Sequence, residues 1–186
     1  MKKTLIFLTA IFLFVLGCQT YTPQPQLMPQ HVRKIAIRPF VNETIQYGLE
    51  EKLTLRVVDE FVRDGRYTVV KESEADGVIV GRITHYILQP LTYGENFQPL
   101  QYKLRILLSL YFIDKVNNVT LWEEPNLEGI QIYTSATLPG GITEEEAREL
   151  IWQDLSQKIL TRTVEGFGSV AGVSEKKVPQ IQQPSK

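Results

Sequence analysis

"VRKIAIRPFVNETIQYGLEEKLTLRVVDEFVRDGRYTVV", residues 32–70, changes its hydrophobic period twice, and those changes decide the fold. The opening "VRKIAIRPF", 32–40, alternates apolar and polar residues as a half-buried strand does, and Pro39 ends it. Beyond it Ile45, Leu49, Leu53, Val57 and Phe61 recur every fourth residue, one apolar stripe along a helix. Asn42 or Thr44 offers a side-chain oxygen as N-cap, and Asp64-Gly65 stops the helix. "RYTVV", 66–70, then returns to period two as a short strand. A strand, a one-sided helix and a second strand open the domain.

Toward the C-terminus the β-rich runs lengthen. "GVIVGRITHYILQPL", 77–91, and "QYKLRILLSLYFIDK", 101–115, flank "TYGENFQP", whose Gly, Asn and Pro mark a loop. Such neighbours form an antiparallel hairpin most simply. In the second of them Tyr102, Leu104, Ile106, Leu108, Leu110 and Phe112 share one face, while Lys103, Arg105 and Ser109 share the other. "VTLWEEPNLEGIQIY" follows a "VNN" turn as a further strand kinked at Pro125. Thr143 and Glu146 have capping-box spacing, with Glu144 and Glu145 favourable toward the helix dipole. Ala147, Leu150, Ile151, Leu155 and Ile159 mark the apolar stripe of the helix they start. The order β-α-β-β-β-β-α predicts an α+β two-layer sandwich, with two helices on one face of a mixed four- to five-stranded sheet. Residues 32–167 form that single domain.

The N-terminal flank reads as an address. Lys2 and Lys3 precede Leu5–Leu16, an apolar run broken only by Thr9. As a helix this run spans about 18 Å, short of the roughly 30 Å hydrocarbon core. Residues 1–17 therefore read as a signal peptide. Val15-Leu16-Gly17-Cys18 resembles the bacterial lipobox, which implies a diacylglycerol on the thiol of Cys18 and, after cleavage, an acylated new N-terminus. Cys18 is the chain's one cysteine, so neither a disulfide nor a zinc site competes for it. Gln19 in place of Asp implies, by analogy with known lipoproteins, sorting to the outer membrane. Residues 18–31, rich in Pro and Gln, read as a flexible tether, and 168–186 as a disordered C-terminal tail.

Charge and chemistry narrow the function. The full chain carries a formal net charge of −1, and loss of Lys2 and Lys3 with the signal leaves −3. That balance provides no general basic face for nucleic acid. The two histidines, His31 and His85, lie far apart in sequence, and His85 sits alone in a strand. Glu144, Glu145 and Glu146 are explained by the helix N-terminus they occupy. No phosphate loop or metal-ligand spacing appears, so the chain reads as a non-enzyme without a metal or cofactor.

Taken together, "KIAIRPFVNETIQYGLEEKLTLRVVDEFVRDGRYTVV", "EADGVIVGRITHYILQPLTY", "YKLRILLSLYFIDKVNNVTLWEE" and the final "TEEEARELIWQDLSQKILTRTVEGF" resemble the LPS-assembly lipoprotein family, LptE. The resemblance implies an outer-membrane lipoprotein on the periplasmic side. Its members partner the LptD β-barrel, lodge largely in the barrel lumen, help it assemble, and bind lipopolysaccharide for delivery to the outer leaflet. Lipopolysaccharide is anionic, so rigidly held cations would meet it by charge-assisted hydrogen bonds. Lys103 and Arg105 are the leading candidates because period-two spacing puts both on one face. Arg82, on the preceding strand, is a third. The competing account treats the three as solvated charges that protect a sheet edge. "IAIRPFVNET" also recurs in other small envelope lipoproteins, which keeps a second function in play: a regulatory binding module for a peptidoglycan synthase or a secretion pore.

Overall fold

The computed structural model describes residues 28–165. The signal peptide, Cys18 and the tail of 168–186 lie outside the described residues, as does all but the last part of the tether. The described chain runs β1 (Lys34–Ile37), β2 (Val41–Asn42), α1 (Leu49–Asp64), β3 (Thr68–Val69), β4 (Gly77–Tyr93), β5 (Pro99–Asp114), β6 (Val119–Thr134) and α2 (Glu144–Glu165). One mixed sheet has the order β3-β1-β4-β5-β6, with β2 also on β4. β1 lies parallel between β3 and β4, whereas β4-β5 and β5-β6 are antiparallel.

The α+β two-layer arrangement matches the periodicity, but the first strand does not run through. Alternation over 32–40 suggests one strand; the sheet has two short ones, with Arg38-Pro39-Phe40 between them. Proline has no N–H to give a ladder, and the break turns the Phe40 ring over Gly81. There a Cβ would lie 2.7 Å from both Phe40 Cδ1 and Leu110 Cδ2. Pairing then resumes at Val41↔Arg82 on the same edge of β4.

The start of α1 also differs from expectation. Neither Asn42 nor Thr44 caps it, because the helix begins only after Gly48, whose left-handed φ of 75° re-aims the chain. Asn42 instead organises the turn before it. Its Oδ1 accepts from the Thr44 N–H at 3.0 Å, and its Nδ2 donates to the Gln46 carbonyl at 2.6 Å. Ile45 consequently leaves the apolar stripe and is exposed, while Leu49, Leu53, Val57 and Phe61 are buried as their spacing requires. Gly65, also left-handed, closes the helix by donating to the Phe61 carbonyl at 3.1 Å.

α2 starts as the capping box predicts. The Glu146 N–H donates to Thr143 Oγ1 at 3.2 Å, and the Thr143 N–H donates to Glu146 Oε2 at 2.7 Å. Its buried stripe is Ala147, Ile151, Trp152, Leu155 and Ile159; Leu150 turns outward, and the helix buries Trp152 instead. Gly129 on β6 lets α2 approach closely, since a Cβ there would meet Ile151 Cγ2 at 2.6 Å.

Both helices cover the face that carries Leu104, Ile106, Leu108, Leu110 and Phe112, all fully buried. The kink at Pro125 is a bulge: Leu108 faces Leu127 while Leu110 faces Glu124, so β6 has one residue more than β5 there. At the lower end His31 is tied to the domain. Its Nε2 lies 2.8 Å from Asp114 Oδ2, and Asp114 Oδ1 accepts from the Val116 N–H at 2.8 Å. Burial pushes the Asp114 carboxyl up, but donors from Asn117, His31 and Val116 outweigh it and hold the pKa below the usual carboxylate value. No helix among the described residues is long and apolar enough to cross a membrane.

Candidate ligand-binding face

On the other face of the sheet the lower end is covered, where Ala36, Ala75, Val78 and Val80 form a second small buried cluster, and the upper end is open. Alternation along β5 delivers Lys103, Arg105, Leu107 and Ser109 to it, and register fixes their neighbours. Lys103 lies between Gln89 of β4 and Ile132 of β6; Arg105 lies between Ile87 and Ile130. The isoleucines are 37% (Ile87), 43% (Ile130) and 54% (Ile132) exposed. Two cations therefore stand in adjacent positions among accessible aliphatic side chains. Such a surface offers charge for an anion and a greasy flank for whatever carries it.

The two cations differ in availability. Arg105 Nε lies 2.5 Å from Glu128 Oε1, with both side chains about one-third exposed. An ion pair that open to water contributes on the order of 1 kcal/mol or less. A guanidinium also has five N–H donors, so the terminal nitrogens remain for an anion. Lys103 has no ion-pair partner among the described residues. The third candidate, Arg82, shares the open face but not the site. It sits opposite Ser109, four residues along β5 from Arg105, or about 14 Å at the strand rise. Its Nη1 is 3.1 Å from Glu43 Oε1. The structure brings Lys103 and Arg105 together and sets Arg82 apart.

Glu128 and the isoleucine flanks were not among the residues singled out from sequence. "EGIQIY" does alternate, but nothing local tells which face its isoleucines join. The bulge after Leu108 resets that parity.

A second concavity lies on the helix side, beyond the start of α2. It encloses ≈ 230 Å³ and is lined by residues including Leu88, Tyr102, Tyr133, Ile142 and Glu144. Tyr102 and Tyr133 stack with centroids 5.5 Å apart. Tyr86 donates its hydroxyl to Glu144. Burial, then that bond to Glu144, pushes the Tyr86 phenol well above its ordinary pKa, so it remains a donor at every physiological pH.

His85 is exposed, and its Nδ1 lies 3.1 Å from Thr84 Oγ1. Among the described residues no group of three or more His, Cys, Asp or Glu is arranged to hold a metal ion.

The LptE lipopolysaccharide-assembly family model matches residues 32–163. No curated protein sequence matches the chain. Among solved structures, the hypothetical protein CT253 from Chlamydia trachomatis matches with a TM-score of 0.51 at 14% identity, over 73% of this chain and 98% of that one. That likeness shows the fold. Lipoprotein GNA1162 from Neisseria meningitidis matches with a TM-score of 0.43 at 13% identity, over 69% and 99% of the two chains. A minor lipoprotein from Acinetobacter baumannii gives 0.45 at 14% identity, over 71% and 92%.

Proposed function

Because this chain belongs to the LptE lipopolysaccharide-assembly family, we propose that it is an outer-membrane lipoprotein that partners an LptD-type β-barrel and binds lipopolysaccharide on its open sheet face. It is held on the periplasmic side by acyl chains on Cys18, works without catalysis or a cofactor, helps the barrel assemble, and passes lipopolysaccharide toward the outer leaflet. The observation that carries this reading is the pairing of Lys103 and Arg105 among Ile87, Ile130 and Ile132. A phosphorylated glycolipid supplies the matching anion and apolar surface. Arg82 is a peripheral contact for a large ligand.

Tether length agrees. Met28, which packs on the core, lies ten Cα–Cα steps after Cys18. Fully extended they reach at most about 36 Å. A domain leashed that closely meets partners at its own membrane, not across the periplasm.

The test is recovery from the native envelope. Detergent-solubilised, affinity-tagged full-length protein should bring down an outer-membrane β-barrel in near-stoichiometric amount. A penicillin-binding protein or a secretion pore in its place would make the chain a regulatory module instead.

A further inference from the structure

β6 is an edge strand of 16 residues, and its free side has an uneven hydrogen-bond inventory. The Ser135 N–H donates inward to the Leu100 carbonyl at 2.9 Å. Antiparallel alternation therefore directs the backbone groups of Tyr133, Gln131 and Gly129 toward β5, and those of Glu128, Ile130, Ile132 and Thr134 outward. Three of the outward carbonyls are already occupied. Lys158 Nζ donates to the Glu128 carbonyl at 2.9 Å, the Ile142 N–H to the Thr134 carbonyl at 3.0 Å, and Gln131 Nε2 to the Ile132 carbonyl at 3.0 Å. What remains open at these four residues is the carbonyl of Ile130 and the four outward N–H groups. The protection is uneven too: Glu123, Glu124, Pro125 and the bulge guard the lower half of the edge, whereas "GIQIY", 129–133, carries no charge.

We propose that this gap receives a short extended segment of the partner barrel, added to the sheet as a seventh strand. The inference rests on the barrel partnership above. Glu128 to Thr134 sets the length at about 20 Å, or six residues of strand. Charge selects the occupant. Lys103, Arg105 and Lys158 surround the gap, against Glu128 and Asp154, which are paired with Arg105 and Lys158. One positive charge is left over, which favours a segment bearing Asp or Glu. The same surplus disfavours a second copy of this chain, because two-fold pairing across Ile130 and Ile132 would face one positive patch with another. A strand at the edge leaves the open face above Lys103 and Arg105 clear for ligand.

The experiment uses the full-length lipidated protein in its native host. A photo-crosslinking residue is placed at 130 or 132, with the exposed helix positions Leu55 and Val62 as controls. Adducts to the barrel should form from 130 and 132 and map to one extended, acidic segment. Ile130→Pro removes an outward N–H that the sheet does not use, together with one aliphatic flank, and an edge strand tolerates it; barrel recovery should fall at least fivefold with the melting temperature unchanged, while Ile130→Val and Ile130→Ala, which keep the N–H, recover normally. Ile132→Pro serves as the second blocking variant. Equal recovery with Ile130→Pro and Ile132→Pro, or adducts as frequent from 55 and 62, overturns the inference and leaves the barrel partnership standing. An adduct between copies at 130 overturns it in favour of a dimer. Absence of any barrel with the unmodified protein removes the functional reading and this inference together.

Discussion

Phe112→Ala should lower the unfolding free energy by about 3–5 kcal/mol, the usual cost of emptying a buried aromatic position. Phe112 is fully buried near the end of β5, opposite Ile79 on one side and Trp122 on the other. Its ring lies over Gly77, where a Cβ would stand 2.8 Å from Cζ, and tilts against Trp122 at a centroid distance of 6.1 Å. The strands beneath it are fixed by long ladders, so the cavity cannot collapse without breaking pairing. Against a typical total stability of about 5–15 kcal/mol, this one change removes a large share. Urea unfolding of the full chain in detergent, followed by tryptophan fluorescence, measures it. Lys103→Ala, on the opposite face of the same strand, should shift stability by no more than about 0.5 kcal/mol. A loss below about 1 kcal/mol for Phe112→Ala would mean that the face of β5 has been assigned wrongly.

The second large effect concerns binding. Lys103→Glu combined with Arg105→Gln should weaken lipopolysaccharide binding about 100-fold or more. A hydrogen bond to a charged group contributes about 1.5–3 kcal/mol, and each 1.4 kcal/mol is about tenfold in affinity. Gln at position 105 keeps a hydrogen-bond partner for Glu128 and avoids setting two carboxylates against each other, so the fold should melt as before. Arg82→Gln should cost less than about threefold, because Arg82 is already paired with Glu43 and stands about 14 Å along the strand from Arg105. Added salt should erode wild-type affinity more than that of the double variant. Titration with purified lipopolysaccharide by light scattering or calorimetry reads all four. Equal affinity for the wild type and the double variant would remove Lys103 and Arg105 from the site.

The parts of the fold carried by long, unbroken periods are legible in the residues alone. Leu104 through Phe112 alternate over nine residues, and the T-x-x-E capping box before α2 is a local hydrogen-bond pattern that needs no tertiary help. What escapes is set by contacts distant in sequence. Thr44 and Asn42 have the chemistry of an N-cap, but strand pairing with β4 holds Asn42 extended, Thr44 falls in the turn that Asn42 organises, and Gly48 takes over the entry to α1. Leu150 fits a helical stripe as well as Trp152 does; only the sheet beneath decides which is buried. The candidate site divides the same way. That Lys103 and Arg105 share a face follows from period two, whereas Glu128, Ile130 and Ile132 join them only through register across β5-β6, after a bulge that shifts the parity.

Lipopolysaccharide should meet the open face of the sheet and not the helical layer. Photo-crosslinking in the native host, with the reactive residue at position 103 or 105 and at Leu55 or Val62 on α1, tests it most directly. Lipopolysaccharide adducts should form from 103 and 105, with none above background from 55 and 62. Adducts confined to the helix positions, or none at 103 and 105, would contradict it.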